Sequence, residues 1–534
     1  MSEFTPDSYY PIDVEGLPVT WEIVKVGDAI LDIQPGFASG KHNQEGLGIP
    51  HLRPMNVDRL GQVDLSLVKY VSREDGPRLR FDDVLFNNTN SPQLIGKTAW
   101  IGQDEGWAFS NHMTRLRVPS DIAPKFVAHQ LHYLWMTGYF LYRCVKHVNQ
   151  ASVSSTALAD TVPLVIPPLP EQHRIVAEIE KQFTRLDVSV AALKRAQANL
   201  KRYRASALKA ACEGQLVPTE AELARAEGRD YEPADQLLER ILTERRARWE
   251  SHQNRRGQYK EPAAPDTSDL PELPEGWVWA TVGALLTSIK AGKNFKCEER
   301  PPEDQEVGVV KVSSVTWGEF DEVESKTCTD SSKVDPTLFI HSGDFLFSRA
   351  NTIQLVGACV IVKNVNLRLM LSDKILRFAI LGNLEKWLLY CLRSALGRSE
   401  IERLATGNQE SMRNIGQDRI HQIRIPFPPL AEQQRIVAEV ERRLSVIQQA
   451  EASVEANLKR AERLRQSILK QAFSGQLVPQ DPDDEPASVL LERIKAEREE
   501  IQAANAVNRK TRRPARRRAQ QNPEGQLALP EVTP

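Results

Sequence analysis

The residue types best suited to catalysis occur in this sequence without the spacing that catalysis requires. The tripeptide Gly96–Thr98 matches the end of a phosphate-binding loop, but Ser91 stands where that loop needs its first glycine. Asp373-Lys374 is a lone acid–base pair with no second acid at the spacing of a nuclease site. The ten histidines form no HxH, HExxH or His-x-Cys pattern. We therefore predict no catalytic residue and no metal ligand in this chain, and we expect it to be no enzyme by itself.

A different chemistry is carried by loops that mix Lys or Arg with amides and glycines. Cations fix phosphates in place, while Arg, Asn and Gln side chains read the edges of bases. Any single loop of this kind is also an ordinary surface turn, so the interpretation depends on finding the whole set twice. The residues that we predict to contact DNA are Lys41, Asn43, Arg53, Asn56, Arg115 and Arg117 in the first half, and Lys293, Asn294, Lys296, Arg349, Asn351 and Arg413 in the second.

Composition limits where such chemistry can lie. The 534 residues have a formal net charge of -2, so affinity for a polyanion has to come from local patches rather than from the whole surface. No apolar run approaches the roughly 18 residues that cross a bilayer, and the first residues lack the pattern of a signal peptide. The six cysteines are scattered without metal-ligand spacing, which is typical of free thiols in a reducing compartment. We expect a cytoplasmic protein with no membrane contact.

The elements that position the loops are organised around an internal repeat. Residues Pro168–Pro218 recur, without a gap, as Pro429–Pro479, and 22 of the 51 aligned positions are identical. Each copy begins after prolines, which suit the first turn of a helix, and ends at Gly-Gln-Leu-Val-Pro, a stop signal. The two copies are therefore predicted to be two long helices, each of roughly 60 Å.

Both helices carry an apolar residue at every seventh position, which indicates coiled-coil pairing. The two seams can pack against each other within one chain. The chain between the two helices is long enough for parallel or antiparallel packing, and we favour antiparallel packing. The predicted seam residues are Ile179, Leu186, Leu193, Leu200, Val440, Ile447, Val454 and Ile468.

Each helix is preceded by a region of about 150 residues that starts alike, as LPVTWEIVKVG at Leu17 and LPEGWVWATVG at Leu273. Short β-leaning runs broken by turn residues predict an α+β fold in both. The expected architecture is two α/β recognition domains separated by two long helices in an antiparallel coiled coil, with a pseudo-two-fold internal repeat. The predicted segments are a first recognition domain at 1–167, a first spacer helix at 168–218, a helical extension and linker at 219–272, a second recognition domain at 273–428, a second spacer helix at 429–479, and a C-terminal helical extension and basic tail at 480–534.

The paired PPLxEQxRIVAE…GQLVP helices and the LPxxWxxxxVG opening before each domain resemble the specificity subunit of type I restriction–modification systems. The resemblance covers essentially the whole chain. It implies that each domain reads one half of a bipartite, asymmetric site in double-stranded DNA, and that the helix pair sets the spacing between the halves.

The same resemblance implies the partners. Two methyltransferase subunits would dock on the helical parts and adjoining domain surfaces, and restriction subunits would complete the nuclease. This chain would bind no cofactor; the partners would use S-adenosylmethionine, ATP and Mg.

The extensions after the two long helices are longer than the family plan requires. Both contain EPAxxLLERI, at Glu232–Ile241 and Glu485–Ile494. We expect these segments to contact the methyltransferase subunits.

Two other functions compete with that of a DNA reader. The alternative is a coiled-coil adaptor that presents two protein-binding domains. A third hypothesis, an enzyme in its own right, is disfavoured by the missing cofactor motifs.

Overall fold

The computed structural model describes residues 9–72, 76–148, 150–251, 258–409 and 412–518. The chain forms two compact units. Unit 1 contains Met1–Leu193 and Ala456–Pro534, and unit 2 contains Lys194–Glu455. The boundaries fall inside the two long helices, so each unit is built from both halves of the sequence.

The first recognition domain, in unit 1, is an α+β domain of short strands and helices. Its strands are β1 Glu22–Lys25, β2 Asp32–Pro35, β3 Ile49–Leu52, β4 Lys69–Val71, β5 Val84–Asn87, β6 Thr89–Asn90, β7 Thr98–Trp100, β8 Ala108–Phe109, β9 Met113–Arg117, β10 Val145–Lys146, β11 Ala151–Ser152 and β12 Pro163–Ile166. Its helices are α1 Val26–Ala29, α2 Pro124–Met136, α3 Tyr139–Arg143 and α4 Ser155–Thr161, with a 3-10 turn at Pro54–Asn56.

Long helix α5, Leu169–Cys212, follows this domain, and then α6, Glu220–Glu227, and α7, Ala234–Ser251. The second recognition domain, in unit 2, has a similar series of elements. Its strands are β13 Val278–Thr281, β14 Leu286–Ala291, β15 Val307–Val310, β16 Ser325–Cys328, β17 Phe345–Ser348, β18 Ala350–Asn351, β19 Cys359–Ile361, β20 Leu369–Met370, β21 Ile375–Ile380, β22 Thr406–Gln409, β23 Met412–Asn414 and β24 Arg424–Phe427. Its helices are α8 Val282–Leu285, α9 Glu385–Arg393, α10 Ala395–Leu404 and α11 Gln417–Ile420, with 3-10 turns at Val312–Ser314, Ser331–Lys333 and Pro336–Leu338. The second long helix, α12, is Leu430–Phe473, and α13 is Ala487–Arg518.

The two domains have the same sheet topology. A four-stranded antiparallel sheet has the order β2-β9-β5-β7 in the first and β14-β21-β17-β19 in the second. A three-stranded sheet, β4-β3-β8 or β16-β15-β20, has one antiparallel and one parallel pair in each case. The strand at the opening of each domain pairs with the strand before its long helix, β1 with β12 and β13 with β24. The common fold suggested by the sequence is therefore present.

The two long helices pack antiparallel in each unit, as predicted. In unit 1, Arg465 of α12 forms an ion pair with Asp187 of α5 and lies 4.1 Å over the ring of Phe183, while Gln480, beyond α12, reaches back to Glu171. In unit 2, Arg204 of α5 donates to Glu451 of α12 at 2.6 Å, and Glu220 after α5 meets Glu432 at the start of α12. Along these contacts the residue numbers rise in α5 while they fall in α12, so the two helices run in opposite directions.

Most of the predicted seam residues are buried. Ile179, Leu186, Val440, Ile447, Val454 and Ile468 are buried, and Leu193 and Leu200 are half-buried. The two half-buried leucines lie on either side of the boundary between the units in α5. Both helices stop where a glycine takes a left-handed conformation, at Gly214 with φ +68° and Gly475 with φ +70°.

The extensions after the helices pack on the chain's own domains. Ala234, Leu237 and Ile241 of α7 are buried in the core of the second domain, and Ala487, Leu490 and Ile494 of α13 are buried in the core of the first. Backbone hydrogen bonds also connect each extension to a domain opening: Ala234 N donates to Gly276 O at 2.9 Å, and Ala487 N donates to Thr20 O at 3.0 Å. The apolar side of EPAxxLLERI is therefore already covered, which leaves only its polar side for the expected contact with a partner.

Two elements differ from what the local sequence pattern predicts. The apolar pattern of Pro124–His147 predicts one helix, but the chain forms α2 and α3 there, because Gly138 between them has φ +80°. The β-leaning run Leu338–Ile340 predicts a strand, but Leu338 is the last residue of a 3-10 turn capped by the Asp335 carboxylate. Turn chemistry overrode the apolar pattern in both places.

Within the described residues, no helix is long and apolar enough to cross a membrane, and no three His, Cys, Asp or Glu side chains lie where they could hold a metal ion together.

Candidate nucleic-acid interface

Two equivalent loops carry the exposed cations that the sequence singled out. Lys41 lies in the loop from β2 to β3, and Lys293, Asn294 and Lys296 lie in the loop from β14 to β15. All four side chains are exposed. Because β2 and β14 are the same edge strand of equivalent sheets, the duplicated fold places a cationic loop at the same corner of each domain.

The two predicted asparagines of the first domain are used within their own loops. Asn43 Nδ2 donates to Leu47 O at 2.8 Å, and its Oδ1 accepts from Leu47 N at 3.1 Å. Buried Asn56 donates to Asp64 O at 2.8 Å and accepts from Arg53 N at 3.0 Å. Each amide closes a turn in the backbone, so its hydrogen-bonding groups hold the loop.

The two predicted arginines of β9 are used inside the sheet. Arg115 is buried and forms an ion pair with Asp32 of β2, and its Nη1 donates to Arg78 O at 3.2 Å. Burial lowers the pKa of Arg115, and the Asp32 charge opposes that effect. Arg117 is half-buried and donates from Nε to Asp83 at 2.9 Å. Both side chains hold the edge strand and the loop before β5 together.

The remaining predicted arginines each donate a hydrogen bond within their own domain. Arg53 donates from Nη2 to Leu67 O at 3.0 Å, and Arg413 donates from Nη1 to Gly407 O at 2.6 Å. Arg349 donates to Asn414 Oδ1 at 3.3 Å. The structure brings Arg349, Asn351 and Arg413 together, since β18 and β23 are paired and Asn351 lies opposite Arg413.

A histidine pair lies beside Lys41. His42 Nε2 and His51 Nδ1 are 2.8 Å apart, so one ring donates a hydrogen bond to the other. Burial lowers the pKa of His51 to about 4, with the neighbouring His42 adding to the effect, and burial followed by Lys69 lowers the pKa of His42. Both rings are therefore neutral at pH 7, and the positive charge at this point of the loop comes from Lys41.

Sequence reasoning missed the purpose of the repeated motif residues. In unit 1, buried Glu171 accepts from Trp21 Nε1 at 3.0 Å and from Gln480 Nε2 at 2.6 Å. Buried Gln172 accepts from Ala123 N at 2.8 Å and donates to Pro167 O at 2.8 Å. The domain opening, helix α2, the start of α5 and the end of α12 therefore meet at one joint. The available signal was that the domain opening and the helix entry both recur in the second repeat.

Unit 2 contains the equivalent joint. Gln433 donates to Pro428 O at 2.7 Å, and Glu432 accepts from Glu220 N at 2.9 Å. Arg435 donates to Glu220 at 2.5 Å, in the place where Arg174 donates to Asp484 at 2.7 Å in unit 1. Burial raises the pKa of both Glu171 and Glu432.

Comparison with known proteins gives consistent results. No family model matches the chain. It is 25% identical over 319 residues to the type I restriction enzyme EcoEI specificity subunit of Escherichia coli, covering 59% of this chain and 52% of that protein. It is 24% identical over 473 residues to the EcoKI specificity subunit of Escherichia coli K12, covering 84% of this chain and 89% of that protein. The chain thus spans about half the length of the first relative and most of the second.

A solved structure agrees in fold. A chain from a study of complex assembly and conformational transition of the type I R-M system superposes with a TM-score of 0.56 at 19% identity, covering 86% of this chain and 99% of that one. Over most of its length, the chain is therefore similar to type I restriction enzyme specificity subunits. The PPLxEQxR signature that indicates this family in the sequence is, in the structure, the joint between recognition domain and long helix.

Proposed function

We propose that this chain is the DNA-recognition subunit of a type I restriction–modification complex. Each recognition domain reads one half of a bipartite, asymmetric site in double-stranded DNA, and the helix pair sets the number of unspecified base pairs between the halves. The chain itself carries out no catalytic step.

The observation that carries the proposal is the duplication of one domain fold with a different cationic loop at the same corner. Lys41 and the Lys293–Lys296 segment follow the same edge strand in the two domains, yet their loops differ in sequence. A protein that repeats its fold and changes its loops can read two different half-sites, in the way that a symmetric dimer reads two identical ones. Exposed lysines supply phosphate contacts, and the amides and arginines nearby supply contacts to base edges.

Two methyltransferase subunits are the proposed partners, and they bind away from the cationic loops. Restriction subunits join them in the full complex. Support comes from a cleft that occurs in equivalent form in each unit, between a domain helix and the long helices. It has a volume of about 710 Å³ in unit 1 and about 670 Å³ in unit 2. Lys125 pairs with Glu180 at 2.5 Å in the first, and Lys386 pairs with Glu441 at 2.7 Å in the second. Two equivalent surfaces suit two copies of one partner.

The chemistry would then lie in the partner chains, which would use S-adenosylmethionine, ATP and Mg. This chain's contribution is to hold the DNA and to place it in register. Binding should be salt-dependent, because lysine–phosphate contacts release counterions.

The test is to express the chain with its methyltransferase in cells that lack other methylation and to map modified adenines across the genome. A single bipartite motif with a constant spacer is expected. Exchange of the second recognition domain, 273–428, for that of a relative should change one half of the motif and leave the other half and the spacer unchanged. No bipartite motif in the presence of an active methyltransferase would refute the proposal.

The second candidate function is a coiled-coil adaptor that binds proteins and not DNA. The equivalent clefts in the two units favour it as well, because each is a surface on which a protein can bind. It predicts no salt-dependent DNA binding by the chain, alone or with partners. A filter-binding titration of the purified complex at 50 and 200 mM salt separates the two.

A further inference from the structure

Unit 2 contains a second cationic cleft that lies outside the recognition loops. It is formed by the last turns of α7, the segment Gln258–Lys260, the start of β14 and His421, and has a volume of about 450 Å³. Three of its lining residues, Arg245, Arg248 and Lys260, are cationic. Among the described residues that line it, none is an Asp or a Glu.

One of the cations is held in place. Arg245 donates from Nε to Leu286 O at 2.9 Å and from Nη1 to Tyr259 Oη at 2.8 Å. Its Cζ lies 5.3 Å from the centre of the Tyr259 ring. A guanidinium fixed in this way loses little conformational entropy when it meets an anion.

The other two cations are exposed. Arg248 also donates to Glu244 at 2.6 Å, an i, i+4 pair on the helix surface that solvent weakens. Lys260 is exposed and forms no ion pair within the described residues. Burial, followed by the charge of Arg245, lowers the pKa of His421, so His421 supplies a neutral ring rather than a further charge at pH 7.

The strand that lines the cleft leads to the recognition loop. Thr287 and Ser288 of β14 line it, and β14 is the edge strand of its sheet. Lys290 lies two residues further along the strand, and the exposed Lys293 and Lys296 follow in the next loop. From Ser288 to the end of the strand is about 10 Å at ~3.3 Å per residue, which matches about three base-pair steps of one DNA strand at ~3.4 Å each.

We propose that the cleft and the β14 edge form one track for DNA phosphates, so that the duplex flanking the second half-site is held by the extension after α5. This inference rests on the proposed function and adds a DNA contact outside the recognition loops.

The track is confined to unit 2. The residue of α13 that corresponds to Arg245 is Arg498, which lies 3.5 Å from Asp28, and the edge strand β2 begins with Asp32. Among the described side chains, carboxylates thus occupy the corner of unit 1 that cations occupy in unit 2. We therefore assign the track to the flank of the second half-site.

The experiment uses the complex with its methyltransferase and a duplex that carries the mapped site. The variant is R248A/K260A, which changes two exposed side chains and leaves Arg245 in place. The matched control is R240A, an exposed arginine on the same helix whose partner is Glu232. The dissociation constant is measured between 50 and 300 mM salt.

For R248A/K260A, the slope of log K against log salt should be about 1.8 lower in magnitude than for the wild type, since each phosphate contact contributes about 0.9. R240A should keep the wild-type slope. Trimming the duplex to the outer edge of the second half-site should abolish the difference between wild type and variant, whereas trimming beside the first half-site should preserve it.

Each other outcome overturns the inference. If K293A/K296A lowers the slope and R248A/K260A does not, the recognition loop binds DNA and the cleft does not. If R248A/K260A weakens only the binding of inorganic phosphate, measured by calorimetry, the cleft is a small-anion site. If the wild-type complex binds no bipartite duplex, the proposed function fails and this inference fails with it.

Discussion

The Arg174 guanidinium donates to the Asp484 carboxylate at 2.7 Å, although 310 positions separate the two residues in the sequence. Arg174 lies in the second turn of α5, and Asp484 lies in the segment between α12 and α13. Arg435 and Glu220 make the same connection in unit 2. Each unit is thereby closed by a segment that follows the long helix of the other repeat.

Arg174→Ala should loosen the C-terminal extension while leaving unit 2 intact. The ion pair is partly exposed, so we expect a loss of about 1 kcal/mol in the local stability of the segment. That corresponds to roughly fivefold faster amide exchange in Ala487–Ile494. Hydrogen exchange measured by mass spectrometry on the full chain checks this. Arg435→Ala is the matched control and should accelerate exchange in α6 instead; unchanged exchange at Ala487–Ile494 would contradict the assignment.

Glu171→Ala should destabilise unit 1 by about 1–3 kcal/mol, because it leaves the buried Trp21 indole N–H without its acceptor and removes the hydrogen bond from Gln480. Glu171→Gln keeps an oxygen for Trp21 and should lose less. Urea unfolding followed by tryptophan fluorescence measures both. Equal losses for the two variants would show that the carboxylate charge, rather than the hydrogen bond to Trp21, is the important feature.

Acid should weaken unit 2 at the Glu400–Arg424 pair. Burial alone would raise the pKa of Glu400, but hydrogen bonds from Arg424 and Arg403 outweigh it and lower the pKa to about 2 from an ordinary value of 4.5. The unfolded chain binds the proton first as pH falls, so the stabilisation from Glu400 is complete above about pH 4.5 and is lost toward about pH 2.

Glu400→Gln should therefore be less stable than the wild type at pH 7, and the difference should shrink as pH falls below 4.5. Urea titrations at a series of pH values provide the measurement. Glu402→Gln reports the loss of a more exposed carboxylate from the same helix. A difference that grew on acidification would have the wrong sign for this mechanism.

Variants of the predicted DNA contacts should separate into two groups. Lys293→Ala and Lys296→Ala remove exposed charges, so each should lower the salt slope of DNA binding by about 1 without changing the melting temperature. Arg115→Ala and Asn56→Ala break buried contacts and should lower the melting temperature of the first domain. Thermal unfolding and DNA titration of the same preparations distinguish the groups, and a stable Arg115→Ala chain with weak DNA binding would reassign Arg115 to the interface.

Seven residues added to each long helix, after Leu193 and after Glu455, should lengthen the spacer of the recognised site. A heptad preserves the seam and adds about 10.5 Å at ~1.5 Å per residue, close to three base pairs at ~3.4 Å. Methylation mapping should show the same half-sites with a longer spacer. The control adds the heptad to α5 alone, which leaves one helix unpaired over that length and should reduce methylation. If the spacer were unchanged in the double insertion, the length of the helix pair would not set the spacer length.

Many features of the fold were predictable because they depend on local chemistry. The heptad seams, the proline entries and the glycine stops specify where α5 and α12 begin and end, and the repeat indicates two copies of one domain. A resemblance carried by the motif then indicated the family. None of these required knowledge of which parts of the chain meet.

The tertiary structure decided which polar groups remain available. Asn56 and Arg115 have the same loop chemistry as Lys293, yet their donors are used by Asp64 and Asp32. Sequence alone cannot show this, because satisfaction of a buried donor depends on residues distant along the chain. The same reason applies to the extensions: an amphipathic segment shows that it needs a partner, and only the folded chain shows that this partner is the other repeat's domain.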